Sequence, residues 1–442
     1  MIQENLNNND IFAIPVGDYF RHDADKCYML YAPLKNKFQL VLPSEADKFE
    51  HQLASNAPSD FLKQFLDGEY KREDVDVDTF CTLHLLLNEK CNFHCSYCYS
   101  AQGRSSAELD MTTIEKMLSY FLSSDRKAPE MRTVMFMGGG EPVLSWDLLQ
   151  KSTMLALKIA EEQGVKVGFS LTTNGSIMTD EMLDFLEKYR FTVQISFEVL
   201  PDVQNAQRGS FETVAKNIVR ISERGINHYV RSTVTEMNVD RIPEMVRYCQ
   251  HHFPKVKKLS CQQVVDPQLF TSPEIVEKFF DRYFRSFQRG VEIGKSTGLE
   301  LRSSSSHLLN YSKRERFCYD LVCLTPYGTL TTCPDVSSPN EADYDSAVFG
   351  EVTESGINFD YKAFERLSSR SIHTIDKCRN CYARWNCGSG CPSSRRVYTP
   401  EIFDSICDFY RKMLRHSLIN EIAVRYGKQT GGNLFEDIEK KL

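Results

Sequence analysis

The sequence predicts an α/β fold built on a partial (β/α)6 barrel. Three observations carry this: six short apolar segments follow one another, an amphipathic stretch separates each pair, and turn-forming residues punctuate the junctions. The predicted strands are Thr82 to Leu87, Thr133 to Met137, Val167 to Thr172, Thr192 to Phe197, Val230 to Val234 and Lys258 to Gln263. Between them, Thr112 with Glu115 reads as a capping box, and Gly164 and Gly225 stand where helix-ending glycines belong. Phe211, Val214, Ile218 and Ile221 recur at helical spacing, which predicts a face buried against the sheet. Six βα units leave such a barrel open on one side and put its chemistry at the C-terminal ends of the strands.

Residues 1–78 read as a small α+β unit. Cys27 to Ala32 and Phe38 to Leu42 predict two strands around a turn at Pro33 to Lys37. Helical patterning follows from Ser44 to Leu53 and from Ser59 to Leu66, stopping at Gly68, and the acidic run Glu73 to Asp78 reads as a connector. The barrel is assigned to residues 79–310. Residues 311–442 form a cysteine-rich unit with a C-terminal helix.

The 442 residues exceed the usual size of one core, so two or three domains are expected, and the 41% hydrophobic fraction is that of a globular chain. A formal net charge of −7 without a basic stripe argues against nucleic acid as the main partner. The polar start lacks the pattern of a signal peptide, and no stretch approaches the apolar length of a membrane span, so a cytoplasmic location away from the membrane is expected. Fifteen cysteines in a reducing compartment point to metal ligation or catalysis rather than disulfides.

The densest cysteine run is Cys91-Asn92-Phe93-His94-Cys95-Ser96-Tyr97-Cys98, directly after the first barrel strand. One tight loop can turn its three sulfurs inward. Three thiolates can hold three irons of a cubane and leave the fourth open to an outside ligand. From spacing alone, zinc or a redox pair stays open as well. After the second strand comes Met137-Gly138-Gly139-Gly140-Glu141-Pro142, where glycines permit close backbone approach and a carboxylate projects at the strand end. It lacks the lysine of a nucleotide-binding phosphate loop. Thr172-Thr173-Asn174-Gly175 ends the third strand, and Ser196-Phe197-Glu198 with Arg208-Gly209 follows the fourth. Far downstream, Cys318 precedes Gly328 by nine intervening residues, and four more lead to Cys333. Then come Cys378-x-x-Cys381, Cys387, Cys391 and Cys407. A pair of zinc ribbons is the plain alternative for that second set.

These motifs resemble the radical S-adenosylmethionine (SAM) superfamily, and the seven later cysteines resemble its SPASM domain. The resemblance implies three [4Fe-4S] clusters. Cys91, Cys95 and Cys98 would hold the SAM-binding one. Cys318, Cys333 and Cys391 would hold the first auxiliary cluster, with Cys323 as the nearest spare ligand although it sits in a predicted strand, Leu321 to Thr325. Cys378, Cys381, Cys387 and Cys407 would hold the second. Around SAM the resemblance places Tyr97, Gly138, Gly139, Gly140, Glu141, Asn174, Ser196 and Arg208, with Glu141 on the amino group. The chain departs from the family where Glu198-Val199 replaces the more usual Asp-Gly. Asp335, two residues after Cys333, is the candidate base by analogy with sulfatase-maturating relatives.

The expected activity is that of a peptide maturase. It would generate a 5′-deoxyadenosyl radical from SAM and abstract hydrogen from a ribosomally made peptide, installing a thioether or carbon–carbon crosslink. Its partners would be a peptide substrate gripped through a leader by residues 1–78, and an electron donor such as flavodoxin or ferredoxin. A sulfatase-maturating enzyme forming formylglycine is the nearest alternative. A non-catalytic iron–sulfur or zinc scaffold is the alternative of another class.

Overall fold

The computed structural model describes residues 10–20, 27–42, 44–45, 63–65, 68–72, 75–306, 313–318 and 320–440. The predicted helices Ser44 to Leu53 and Ser59 to Leu66 lie almost wholly outside these, as do Glu73 and Asp74 of the predicted connector. Phe12–Pro15 (β1), Tyr28–Ala32 (β2) and Lys37–Val41 (β3) form an antiparallel sheet in that order. Asn36 turns β2 into β3 with a left-handed backbone, φ 51°, which a short polar side chain tolerates. β1 has no counterpart among the predicted strands, because four residues ending in proline carry little alternation to read.

The main sheet holds eleven strands: Thr82–Leu85 (β4), Met131–Phe136 (β5), Lys166–Thr173 (β6), Thr192–Ser196 (β7), His228–Val234 (β8), Lys258–Gln263 (β9), Glu300–Arg302 (β10), Leu321–Leu324 (β11), Thr329–Thr331 (β12), Val348–Thr353 (β13) and Gly356–Phe359 (β14). β4 to β10 run parallel in chain order. β11 pairs parallel with the free side of β4, and β12 to β14 continue antiparallel from there. The barrel is therefore open, and its sheet runs without a break into the cysteine-rich region. β10 and β14 are its edges.

Helices cover one face: Met111–Phe121 (α1), Trp146–Gln163 (α2), Asp180–Lys188 (α3), Pro201–Gln207 (α4), Phe211–Glu223 (α5), Ile242–His252 (α6) and Pro273–Thr297 (α7). Phe211, Val214, Ile218 and Ile221 of α5 are at most 6% exposed, each contributing about 1.5–3 kcal/mol by leaving water. The α1 cap differs from the sequence reading. Asp110 accepts the Thr113 N–H at 2.9 Å, whereas Thr112 already lies inside the helix. Gly164 ends α2 with φ 66°, as expected of a helix-ending glycine.

Successive strand residues point to opposite faces. Leu83, Leu85, Val134, Phe136, Leu171, Val193 and Ile195 join the apolar core. The alternate positions His84, Met135, Ser170, Thr172, Gln194, Ser196, Tyr229 and Arg231 stand level with one another across neighbouring strands and give the other face a largely polar lining.

The cysteine-rich region adds Tyr344–Ala347 (α8), Tyr361–Ser368 (α9), Arg384–Cys387 (α10), Pro392–Val397 (α11), Pro400–Thr430 (α12) and Leu434–Glu439 (α13). It also holds the N-terminal sheet. Trp385 Nε1–H donates to Asp10 at 2.7 Å, Tyr31 donates to Asn386 at 2.8 Å, and Arg415 pairs with Asp18 at 2.7 Å. Among the described residues, no helix is long and apolar enough to cross a membrane.

Candidate active site

The C-terminal ends of β4 to β7 converge on the loop that carries Cys91, Cys95 and Cys98. Arg104, which sequence reading did not single out, donates to Cys98 Sγ at 3.3 Å and also reaches Cys91. Cys95 lies within electrostatic reach of both other thiols, and burial pushes its own thiol up. A cation six residues beyond Cys98 was the available signal. Among the described residues no three His, Cys, Asp or Glu side chains, these thiols included, are drawn together closely enough to hold a metal ion.

The glycine run after β5 makes its close approach to the protein itself. Gly140 N–H donates to the Asn88 carbonyl, and Glu141 N–H to the Lys90 carbonyl, each at 2.7 Å. A Cβ on Gly140 would sit 1.9 Å from Lys90 O, and one on Gly139 would sit 2.7 Å from Asn88 O. The run thus clamps the segment leading into the cysteine loop. Gly140→Ala should separate these backbones, cost about 1–3 kcal/mol, and lower iron loading of the loop. Gly164→Ala is the control: φ 66° strains it, but nothing lies within 4 Å of the added carbon. Thermal unfolding and iron analysis read both, and equal iron content in the two variants would remove the clamp from the account.

Glu141 is buried and bridges two strand ends. Its carboxylate accepts from Thr173 Oγ1 and from Asn174 N–H, both at 2.7 Å, and from Val143 N–H at 3.4 Å. Burial pushes its pKa up against these donors. A carboxylate has about four acceptor sites, so three occupied ones leave room for a further donor. Asn174 reaches the cysteine loop: its Nδ2 donates to Asn92 Oδ1 at 2.9 Å and lies 4.0 Å from Cys91 Sγ.

Glu198 stands where the sequence departs from the family pattern, and it is fully buried. The Arg208 Nε–H donates to it at 2.9 Å and to Tyr97 Oη at 2.6 Å, while Tyr97 Oη–H donates to Glu198. Ser232 Oγ–H at 2.5 Å and Thr233 N–H at 2.9 Å complete the carboxylate's shell. This network ties the cysteine loop to β7 and β8. The following residue, Val199, keeps a left-handed backbone with φ 68°, an uncommon conformation for a β-branched side chain and one that glycine adopts freely. Ser196 ends β7 level with Arg231. The Arg231 backbone carbonyl accepts the Phe197 N–H at 2.9 Å, while its side chain makes no hydrogen bond or ion pair with the described residues, though its charge reaches Asp335. Burial raises the Asp335 pKa, and Arg231, Ser393 and Arg396 oppose it.

The later thiols fall into two neighbourhoods. Cys318, Cys333 and Cys391 line one cavity of about 430 Å³. Cys323 does not line it; it sits buried in β11, level with Thr331 of β12 and His84 of β4. Cys387 lies within electrostatic reach of Cys407, Cys381 and Cys378.

Residues 85–249 match the radical SAM superfamily. A radical SAM cyclopropyl synthase, TigE, from Paramaledivibacter caminithermalis is 21% identical over 77% of this chain and 74% of its own length. A cysteine-type anaerobic sulfatase-maturating enzyme from Clostridium novyi is 20% identical over 71% of this chain and 88% of its own. Among solved structures, native anSMEcpe with bound AdoMet superposes with a TM-score of 0.58 at 17% identity, covering 77% of this chain and 98% of that one. Streptococcus suis SuiB, bound to its precursor peptide SuiA, gives 0.50 at 13% over 89% of this chain and 97% of its own. The matched domain, the open parallel sheet and the cysteine loop at its mouth together identify residues 85–249 as the radical SAM domain of an enzyme, followed by a cysteine-rich C-terminal region consistent with a SPASM domain.

Proposed function

We propose that the protein is a peptide maturase that abstracts hydrogen from a peptide side chain or backbone and installs a thioether or carbon–carbon crosslink. The observation that carries this reading is the gathering of ten cysteines into three neighbourhoods, one of them at the barrel mouth. Thiols are the donor set that iron–sulfur clusters require. In this reading Cys91, Cys95 and Cys98 hold the SAM-binding cluster, Cys318, Cys333 and Cys391 an auxiliary one, and Cys378, Cys381, Cys387 and Cys407 a second. Cys323 does not line the cavity of Cys318, Cys333 and Cys391 but lies within electrostatic reach of Cys318 and Cys333, so it stays the spare fourth ligand.

When bound, the barrel cluster and SAM supply a 5′-deoxyadenosyl radical able to take hydrogen from an unactivated position. The chain's part is placement. Glu141, held in pose by Thr173 and Asn174, would take the SAM ammonium through its remaining acceptor capacity. Arg208 uses its Nε on Glu198 and Tyr97, and its terminal nitrogens would hold the SAM carboxylate with Ser196. Arg231 stands on the polar face of the sheet, where its charge reaches Asp335, the candidate base for the peptide. The N-terminal sheet grips a leader through an open strand edge, and flavodoxin or ferredoxin supplies electrons. The likeness in fold to SuiB bound to its precursor peptide and to anSMEcpe bound to the Cp18Cys peptide supports a peptide substrate.

The test is anaerobic reconstitution followed by iron analysis and by assay of 5′-deoxyadenosine from SAM and dithionite. About twelve irons per chain and steady release of 5′-deoxyadenosine are expected. Full iron loading without product would sink the enzymatic reading, and bound zinc would sink the auxiliary clusters. The 88% coverage of a sulfatase-maturating relative favours formylglycine formation as the second reading. A cysteine-type sulfatase peptide separates the two, since only that second reading predicts a mass loss confined to one cysteine.

A further inference from the structure

In a chain of formal net charge −7, one surface reverses the sign. Lys362, Arg366 and Arg370 follow at four-residue spacing along α9 and just past its end, so they share one side of it. All three are exposed, and their side chains make no ion pair or hydrogen bond with the described residues. Glu365 is the single acidic residue on α9.

The position of this basic rim gives it meaning. Arg366 and Arg370 line the same cavity as Cys318, Cys333 and Cys391. Arg370 also lines an adjoining open depression with Arg395, and Arg395 lies within electrostatic reach of Cys378 and Cys407. The rim therefore stands beside both auxiliary thiol groups, on the outside of the molecule. Unpaired surface cations do little for stability, but a one-signed field guides a charged partner and raises its association rate.

We propose that Lys362, Arg366 and Arg370 form the docking surface for an acidic one-electron carrier protein that exchanges electrons with the auxiliary centre at Cys318, Cys333 and Cys391. The proposal rests on the reading that these cysteines hold an iron–sulfur cluster. One electron leaves the reduced carrier, a flavin hydroquinone that becomes the semiquinone, and enters the oxidised cluster. No bond forms or breaks. An encounter of this kind needs only a small interface. Acidic peptides could also be drawn to the rim, but the cavity behind it places a redox centre, not a peptide chamber, within reach of what docks there.

The experiment uses the reconstituted holoenzyme and photoreduced flavodoxin, following cluster bleaching by stopped flow at low and high salt. Arg366→Glu/Arg370→Glu should slow reduction by flavodoxin roughly tenfold or more at low salt, weaken flavodoxin binding in calorimetry, and leave reduction by dithionite unchanged. The wild-type rate should fall as salt screens the field. Lys158→Glu/Lys216→Glu makes the same charge change elsewhere and should slow the reaction little. Equal slowing in both variants, or none in the first, overturns the docking surface. An iron content of about four per chain overturns the cluster reading beneath it. About twelve irons with an unchanged flavodoxin rate overturns the docking surface alone.

Discussion

Cys95→Ala should lose about four of roughly twelve irons and nearly all SAM cleavage, while the later cysteines keep their share of metal. Cys95 is the middle thiol of the loop, electrostatically coupled to Cys91 and Cys98. In the proposed reading, two remaining thiols would leave a second iron of the cubane without its cysteine ligand. The Arg104 guanidinium, held against Cys98, would then face a smaller negative charge. Release of 5′-deoxyadenosine should fall at least a thousandfold, equivalent to roughly 4 kcal/mol in the barrier. Retention of all irons with normal cleavage would remove this loop from the chemistry. Cys249→Ala, in the core of α6, is the comparison: it creates a small cavity but should leave iron content unchanged.

Glu198→Ala carries the largest expected effect on stability. The carboxylate is fully buried and receives hydrogen bonds from Tyr97, Arg208, Ser232 and Thr233. Its removal strands the Arg208 guanidinium in a site of low polarity, and breaking such a buried pair costs about 3–5 kcal/mol. Glu198→Gln keeps the shape and an acceptor for Thr233, so it should lose less. Denaturant unfolding of the metal-free chain measures both. A loss below about 1 kcal/mol in the alanine variant would make the pair no stronger than a surface one.

The six barrel strands were legible because buried parallel strands are short apolar runs between helices with clear ends. β10 was not, since Glu300–Arg302 offers three residues, two of them charged. The Thr112 cap failed for a local reason: Asp110 lies in the extended conformation that a cap requires, two residues earlier. Motifs located Tyr97, Glu141, Asn174 and Arg208. Their partnerships were not legible, because Tyr97 meets Glu198 across 101 positions and Arg208 across 111, and no spacing rule reaches that far. The glycine run was read as making room for a ligand. The nearest atoms to carbons added at Gly138, Gly139 and Gly140 belong to Leu86, Asn88 and Lys90, a packing relation only the fold reveals.

The pairing of β11 with β4 bears on how this protein can be divided. Leu321 to Leu324 lie in register with Thr82 to Leu85, so the barrel's first strand is an interior strand whose second neighbour comes from the cysteine-rich region. A cut between residues 302 and 321 would bare the β4 edge on one fragment and the β11 edge on the other, and bare strand edges invite aggregation. Truncations meant to isolate either half should therefore yield insoluble chains rather than separable activities.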